Sequence, residues 1–148
     1  MAGQTVAIAS DHAGFTLKSM LRADLEADGY TVLDLGTDGP DSVDYPDFGF
    51  SLASAIADGK AEKGVLVCGS GIGISIAANR NPAVRAAVVT NALTAKLARQ
   101  HNDANVVCFG ERLVGSEIAR DAMKVFLETE FEGGRHARRV DKLSKPQT

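Results

Sequence analysis

Five short apolar runs punctuate the chain, beginning near Val6, Val32, Val65, Ala86 and Val106, with amphipathic or capped segments between them. Leu17, Leu21 and Leu25 recur every four residues after the first run, which sets them on one face of a helix. Leu93 and Leu97 predict a similar apolar face before the fifth run, and Ile118, Ala122, Val125 and Phe126 predict one after it. The runs are near-continuous rather than alternating, as strands covered on both sides should be. Strands alternating with helices predict a three-layer α/β/α domain: a Rossmann-like open parallel five-stranded sheet with helices on both faces.

Residues 36–63 form the least regular connection. Gly36-Thr37-Asp38-Gly39-Pro40-Asp41 is turn chemistry, and Asp44-Tyr45-Pro46-Asp47 leads into a helix carrying Phe50, Leu52, Ala53 and Ile56. After Gly133-Gly134 one more short helix is expected through Leu143, stopping at Lys145-Pro146. There is no internal repeat or low-complexity stretch. The reading is one domain over residues 1–148, with residues 133–148 as a C-terminal helical arm.

Composition adds exclusions. A chain of 148 residues, 45% hydrophobic and 24% charged, can bury one core without staples. No run approaches the apolar length of a membrane span, and Met1 to Thr5 lack the features of a leader, so a cytoplasmic location is expected. The net charge of −3 offers no general attraction to nucleic acid or anionic membrane. Residues 135–145 are locally basic, with Arg135, His136, Arg138, Arg139, Lys142 and Lys145 against Asp141. On charge alone this is a solvated tail. Cys68 and Cys108 make no disulfide framework, and His12, His101 and His136 show no paired ligand spacing, so neither a metal nor another cofactor is expected.

The richest chemistry lies where the third run ends at Cys68 and passes into Gly69-Ser70-Gly71-Ile72-Gly73. Ligands bind at the carboxyl ends of strands in open α/β sheets. A helix opening just after the turn offers unpaired N–H donors and its positive dipole end, which favour a thiolate and a developing oxyanion. The turn fits no phosphate or dinucleotide fingerprint: Ile74 stands where a third glycine belongs, and no Gly-Lys-Ser/Thr follows. Cys108, inside the fifth run, reads as a buried small residue, and Cys68 itself could be another. Asp11, ahead of a helix, reads equally well as an N-cap or as a catalytic carboxylate. His101 falls in the last turn of its helix, where an imidazole can simply meet the helix dipole.

Five segments occur in order: Asp11-His12-Ala13-Gly14; Asp44-Tyr45-Pro46; Cys68 through Asn79; Arg99-Gln100-His101-Asn102; and Gly133-Gly134-Arg135-His136 with Arg139. Together they closely resemble ribose-5-phosphate isomerase type B, in the family that includes allose and galactose 6-phosphate isomerases, from Val6 to about Leu143. The resemblance implies a metal-independent aldose–ketose isomerase acting through an enediolate. Carried over by position, Cys68 is the proton-transfer base, and the amides of Gly69, Ser70, Gly71, Ile72 and Gly73 hold the enediolate oxygen. His101 opens the sugar ring with help from Asp11, Tyr45 and Asn102 line the sugar, and His12, Arg112, Arg135 and Arg139 hold the phosphate. Ser70 stands where some relatives have threonine. The resemblance also implies a homodimer, possibly paired into a tetramer, with Arg135 and Arg139 delivered to a partner's site, which gives the basic arm a purpose. Allose 6-phosphate as substrate, or a non-catalytic flavodoxin-like binding module, are the alternative readings.

Overall fold

The computed structural model describes residues 3–145 and 147. Met1 and Ala2 of the stretch read for a leader lie outside these residues, as does Pro146, the expected stop of the last helix. The strands are β1 (Thr5–Ser10), β2 (Thr31–Asp34), β3 (Lys63–Cys68), β4 (Ala86–Val88) and β5 (Val106–Gly110). The α-helices are α1 (Phe15–Ala27), α2 (Tyr45–Ala57), α3 (Ile72–Asn79), α4 (Ala92–Asn102), α5 (Ser116–Glu128) and α6 (Arg135–Leu143). A 3-10 turn, His12–Gly14, joins β1 to α1.

The sheet is wholly parallel in the order β2-β1-β3-β5-β4, so the chain skips one place after β3 and returns to fill it with β5. That is the Rossmann-like three-layer architecture the alternating pattern predicts. Successive side chains of a strand point to opposite faces. Val6, Ile8, Val65, Val67, Val107 and Phe109 accordingly pack under α1, α4 and α5. Ala7, Ala9, Leu66, Cys68, Val106 and Cys108 pack under α2 and α3. The side chain of Cys68 therefore lies on the α3 side of the sheet, below the helix that follows it.

One helix buries a different face from the one its leucine spacing predicts. In α4 the core takes Ala95, Ala98 and Arg99, while Leu93 is 64% exposed and Leu97 39%. The small residues let α4 lie close to α5, and the larger leucines turn outward. Arg99 is tolerated inside because its guanidinium donates to the carbonyls of Thr129 and Ala104 and to the Asp103 carboxylate. In α5 the expected Ala122 and Phe126 are buried and Val125 packs partly buried against the core, joined by Ala119, Met123 and Leu127, while Ile118 alone of the expected set is half exposed.

The arm folds back on its own chain. His136 and Val140 are the buried residues of α6, which packs beside α4, and Arg85 donates to the Ser144 hydroxyl just beyond it. Arg135, Arg138 and Arg139 stay exposed.

Candidate active site

Four chain segments converge at the carboxyl ends of β1, β3 and β5. β1 ends into Asp11, which is 5% exposed; its Oδ1 accepts from the Gly14 amide at 3.1 Å, and its own amide donates to the Val67 carbonyl at 3.3 Å. The N-cap role is thus realised, and one carboxylate oxygen of Asp11 remains. Gly14 is required here, since a Cβ would sit 2.6 Å from the Val67 carbonyl oxygen. His12 accepts the Val43 amide on Nδ1 at 3.1 Å. A neutral imidazole that accepts on Nδ1 carries its proton on Nε2, ready to donate outward.

β3 ends at Cys68, whose sulfur accepts the Gly71 amide at 3.1 Å. The residue is 4% exposed, so only a small part of it meets solvent within one chain. Gly71 makes this contact with φ +78°, and a Cβ there would lie 2.8 Å from the Phe109 carbonyl carbon. The Ser70 hydroxyl oxygen accepts the Ile72 amide at 3.1 Å. The amides of Gly73 and Ile74 open α3 without an acceptor among the described residues. Tyr45, the first residue of α2, lies against Gly73 so closely that a Cβ there would come within 2.5 Å of its ring. The Arg112 amide donates to the Gly69 carbonyl at 3.1 Å, and its guanidinium stands over Gly69. Asp11, His12, Tyr45, Gly69, Ser70, Gly71, Ile72, Gly73 and Arg112 therefore gather around Cys68.

The remaining expected site residues lie elsewhere. His101 and Asn102 close α4, and α4 runs antiparallel to the strands, so they fall beside the start of β5 rather than its end. Cys68 pairs with Gly110 at the end of β5, while Gly64 pairs with Val106 at its start. At roughly 3.3 Å per residue that separates the two levels by about 13 Å. Arg135 and Arg139 belong to this lower group through α6, whose His136 ring stacks on His101 with centroids 4.5 Å apart and planes 15° from parallel. The expected site residues thus fall into two groups at opposite ends of the strands. His101 and Asn102 lie with Arg135 and Arg139 in this lower group.

The family model described as Ribose/Galactose Isomerase matches residues 6–143. The chain belongs to the ribose/galactose isomerase family. Among its relatives, the protein named ribose-5-phosphate isomerase B of Escherichia coli (strain K12) is 43% identical over 139 residues, 94% of this chain and 93% of that one. The solved ribose-5-phosphate isomerase B of Clostridium thermocellum superposes with a TM-score of 0.94 at 49% identity, covering 95% of each chain. That of Thermotoga maritima superposes with a TM-score of 0.93 at 45% identity, covering 95% of this chain and 97% of the other.

Several residues of this isomerase fold matter to the site without having been singled out from sequence. Glu111 follows β5 directly; its amide donates to the Cys68 carbonyl at 3.0 Å, and its carboxylate accepts the Leu17 amide at 2.7 Å. It ties the end of β3 to the first turn of α1. An acid placed immediately after a buried strand was the available signal. Glu132 and His136 are the others. The Glu132 amide donates to the Gln100 carbonyl, and its carboxylate stands 3.6 Å from His136 Nε2. Burial, then the facing His101 ring and the Arg135 guanidinium, push the His136 pKa below the ordinary histidine value, against the pull of Glu132. Among the described residues no helix is long and apolar enough to cross a membrane.

Proposed function

We propose that the chain interconverts D-ribose 5-phosphate and D-ribulose 5-phosphate through an enediolate, in sites each built from two copies. The observation that carries this reading is the Gly71 amide on the Cys68 sulfur, at the mouth of a helix whose next free amides face the same corner. Cys68 takes the proton from C2 of the open-chain aldose and returns it to C1. Charge that develops on the carbonyl oxygen meets the amides of the Gly69–Gly73 turn and the Ser70 hydroxyl. Fixed donors of this kind typically account for about 100- to 1000-fold in rate each.

The second copy supplies His101 to protonate the ring oxygen, with Asp11 of the first copy assisting, and Asn102 opposite Tyr45 along the sugar. His12 Nε2 and Arg112 from one side, and Arg135 and Arg139 from the other, hold the phosphate. Guanidinium forks suit a dianionic phosphate, and a grip at that remote end fixes the reacting carbons. Exposed apolar stripes, Ile72 with Ile76 on α3 and Leu93 with Leu97 on α4, support burial against a second copy. No step of this scheme calls for a metal.

The test is conversion of ribose 5-phosphate by the purified protein, measured beside allose 6-phosphate and repeated with Cys68→Ala. Faster turnover of the pentose, lost in the variant, is expected. Preference for the hexose would reassign the substrate while keeping the machinery. Conversion of neither sugar would leave a non-catalytic binding module as the better reading.

A further inference from the structure

The lower group brings three metal-ligating side chains together: His101 at the end of α4, Glu132 in the segment before α6, and His136 in its first turn. Their ligand atoms all lie within 4.8 Å of one another. The scaffold that holds them is built into the backbone. The Glu132 amide donates to the carbonyl of Gln100, the neighbour of His101, and the His136 amide donates to the Gly133 carbonyl. His136 is held in place by burial, while His101 is half exposed and Glu132 exposed, so two of the three can adjust.

We propose that His101, Glu132 and His136 form a three-ligand site for a divalent transition cation of the zinc type, and that filling it inhibits the isomerase. Two imidazoles and one carboxylate with an open fourth position are a donor set that zinc accepts. Magnesium and calcium, which take oxygen ligands, are poorly served by it. Bonds of about 2.0–2.1 Å set tetrahedral ligand atoms roughly 3.4 Å apart, so closing the set requires the His101 ring to turn out of its stack on His136. The negative end of α4 and the Glu132 carboxylate favour a cation. Arg135 and Arg139 oppose it, but both are exposed and screened by solvent.

Inhibition follows from what the metal takes away. An imidazole whose free lone pair is committed to a cation cannot pick up the proton it must deliver to the sugar ring oxygen. This half of the inference rests on the assignment of His101 to ring opening; the binding half does not.

The experiment uses the full chain stripped of metal and titrated with Co2+, whose visible absorption reports tetrahedral nitrogen and oxygen ligation. Binding is measured in a Cys68→Ala background, so that the reactive thiol is not a ligand. One Co2+ per chain is expected, displaced by Zn2+ and not by Mg2+. Glu132→Gln and His136→Asn should each weaken it by at least about tenfold, the loss that even outer-shell partners of a metal cause. In the enzyme with Cys68 intact, Zn2+ should suppress turnover, and Glu132→Gln should need at least about tenfold more Zn2+ for the same fractional loss of its own metal-free rate. Absence of binding, or binding indifferent to both substitutions, overturns the site. A saturated site with undiminished turnover overturns the inhibition and the ring-opening role of His101, and leaves the role of Cys68 untouched.

Discussion

Cys68 and His101 occupy opposite ends of one parallel sheet: Cys68 pairs with Gly110 where β5 finishes, and His101 closes the helix that feeds Val106 where β5 begins. The sheet itself holds them apart, so no loop movement within one chain can join them. In the proposed scheme a small sugar phosphate touches a base, an acid and several cations at once. Two copies arranged so that the lower edge of each meets the upper edge of the other satisfy that requirement twice, as a two-fold symmetric dimer does.

Loss of the base should act on the chemical step. Cys68→Ala is expected to lower kcat by about 100- to 10,000-fold with KM little changed. Steady-state kinetics check this. Retention of more than about a tenth of the wild-type rate would remove Cys68 from the role.

The arginines of α6 should behave in the opposite way. Arg135→Ala and Arg139→Ala are each expected to cost about 1.5–3 kcal/mol of binding, seen mainly as a raised KM, because each removes a charge-assisted bond to the phosphate. Lysine at either position should restore part of the loss, since the charge returns without the fork. A change confined to kcat would contradict a phosphate role.

Backbone geometry at the turn gives a stability prediction. Gly71 combines φ +78° with a Cβ position 2.8 Å from the Phe109 carbonyl carbon. Gly71→Ala is therefore expected to cost at least about 1–3 kcal/mol in urea unfolding and to lower turnover as the amide leaves the sulfur. An alanine variant of full stability would show that the turn is not held as described.

Acid sensitivity should trace to Asp34. Burial raises its pKa, but the Lys18 ammonium, the Gly36 amide and Arg22 outweigh that and leave the carboxyl below its ordinary value. Its folded value is then lower than its unfolded one, so on acidification the unfolded chain takes up the proton first. The stability this contributes is whole above about pH 4 and is lost as the pH falls through the folded value. Unfolding free energy measured against pH should fall more gently below that point in Asp34→Asn than in the wild type. The variant should also be less stable at neutral pH by about 3–5 kcal/mol, because it strands the buried Lys18 charge, whose side chain is 2% exposed.

Sequence patterning exposed the fold and half of the site for a definite reason. In a parallel sheet every strand ends on the same edge, so Asp11, Cys68 and the glycine turn could be placed together by locating strand ends alone. Strand order was not legible, because the near-continuous runs Ala86–Val88 and Val106–Gly110 say nothing about which is the edge. The outward faces of Leu93 and Leu97 were not legible either, since alanines at neighbouring positions offered a second, closer-packing face. The His101–His136 stack joins residues 35 positions apart, a tertiary pairing that ligand spacing cannot reveal.

Mixing Cys68→Ala with His101→Ala tests the shared site most directly, with subunit exchange followed on differently tagged chains. Each hybrid dimer would contain one site with both residues intact, so about a quarter of wild-type turnover should return at equal mixing. No recovery in a mixture shown to have exchanged would mean that Cys68 and His101 do not act across two copies.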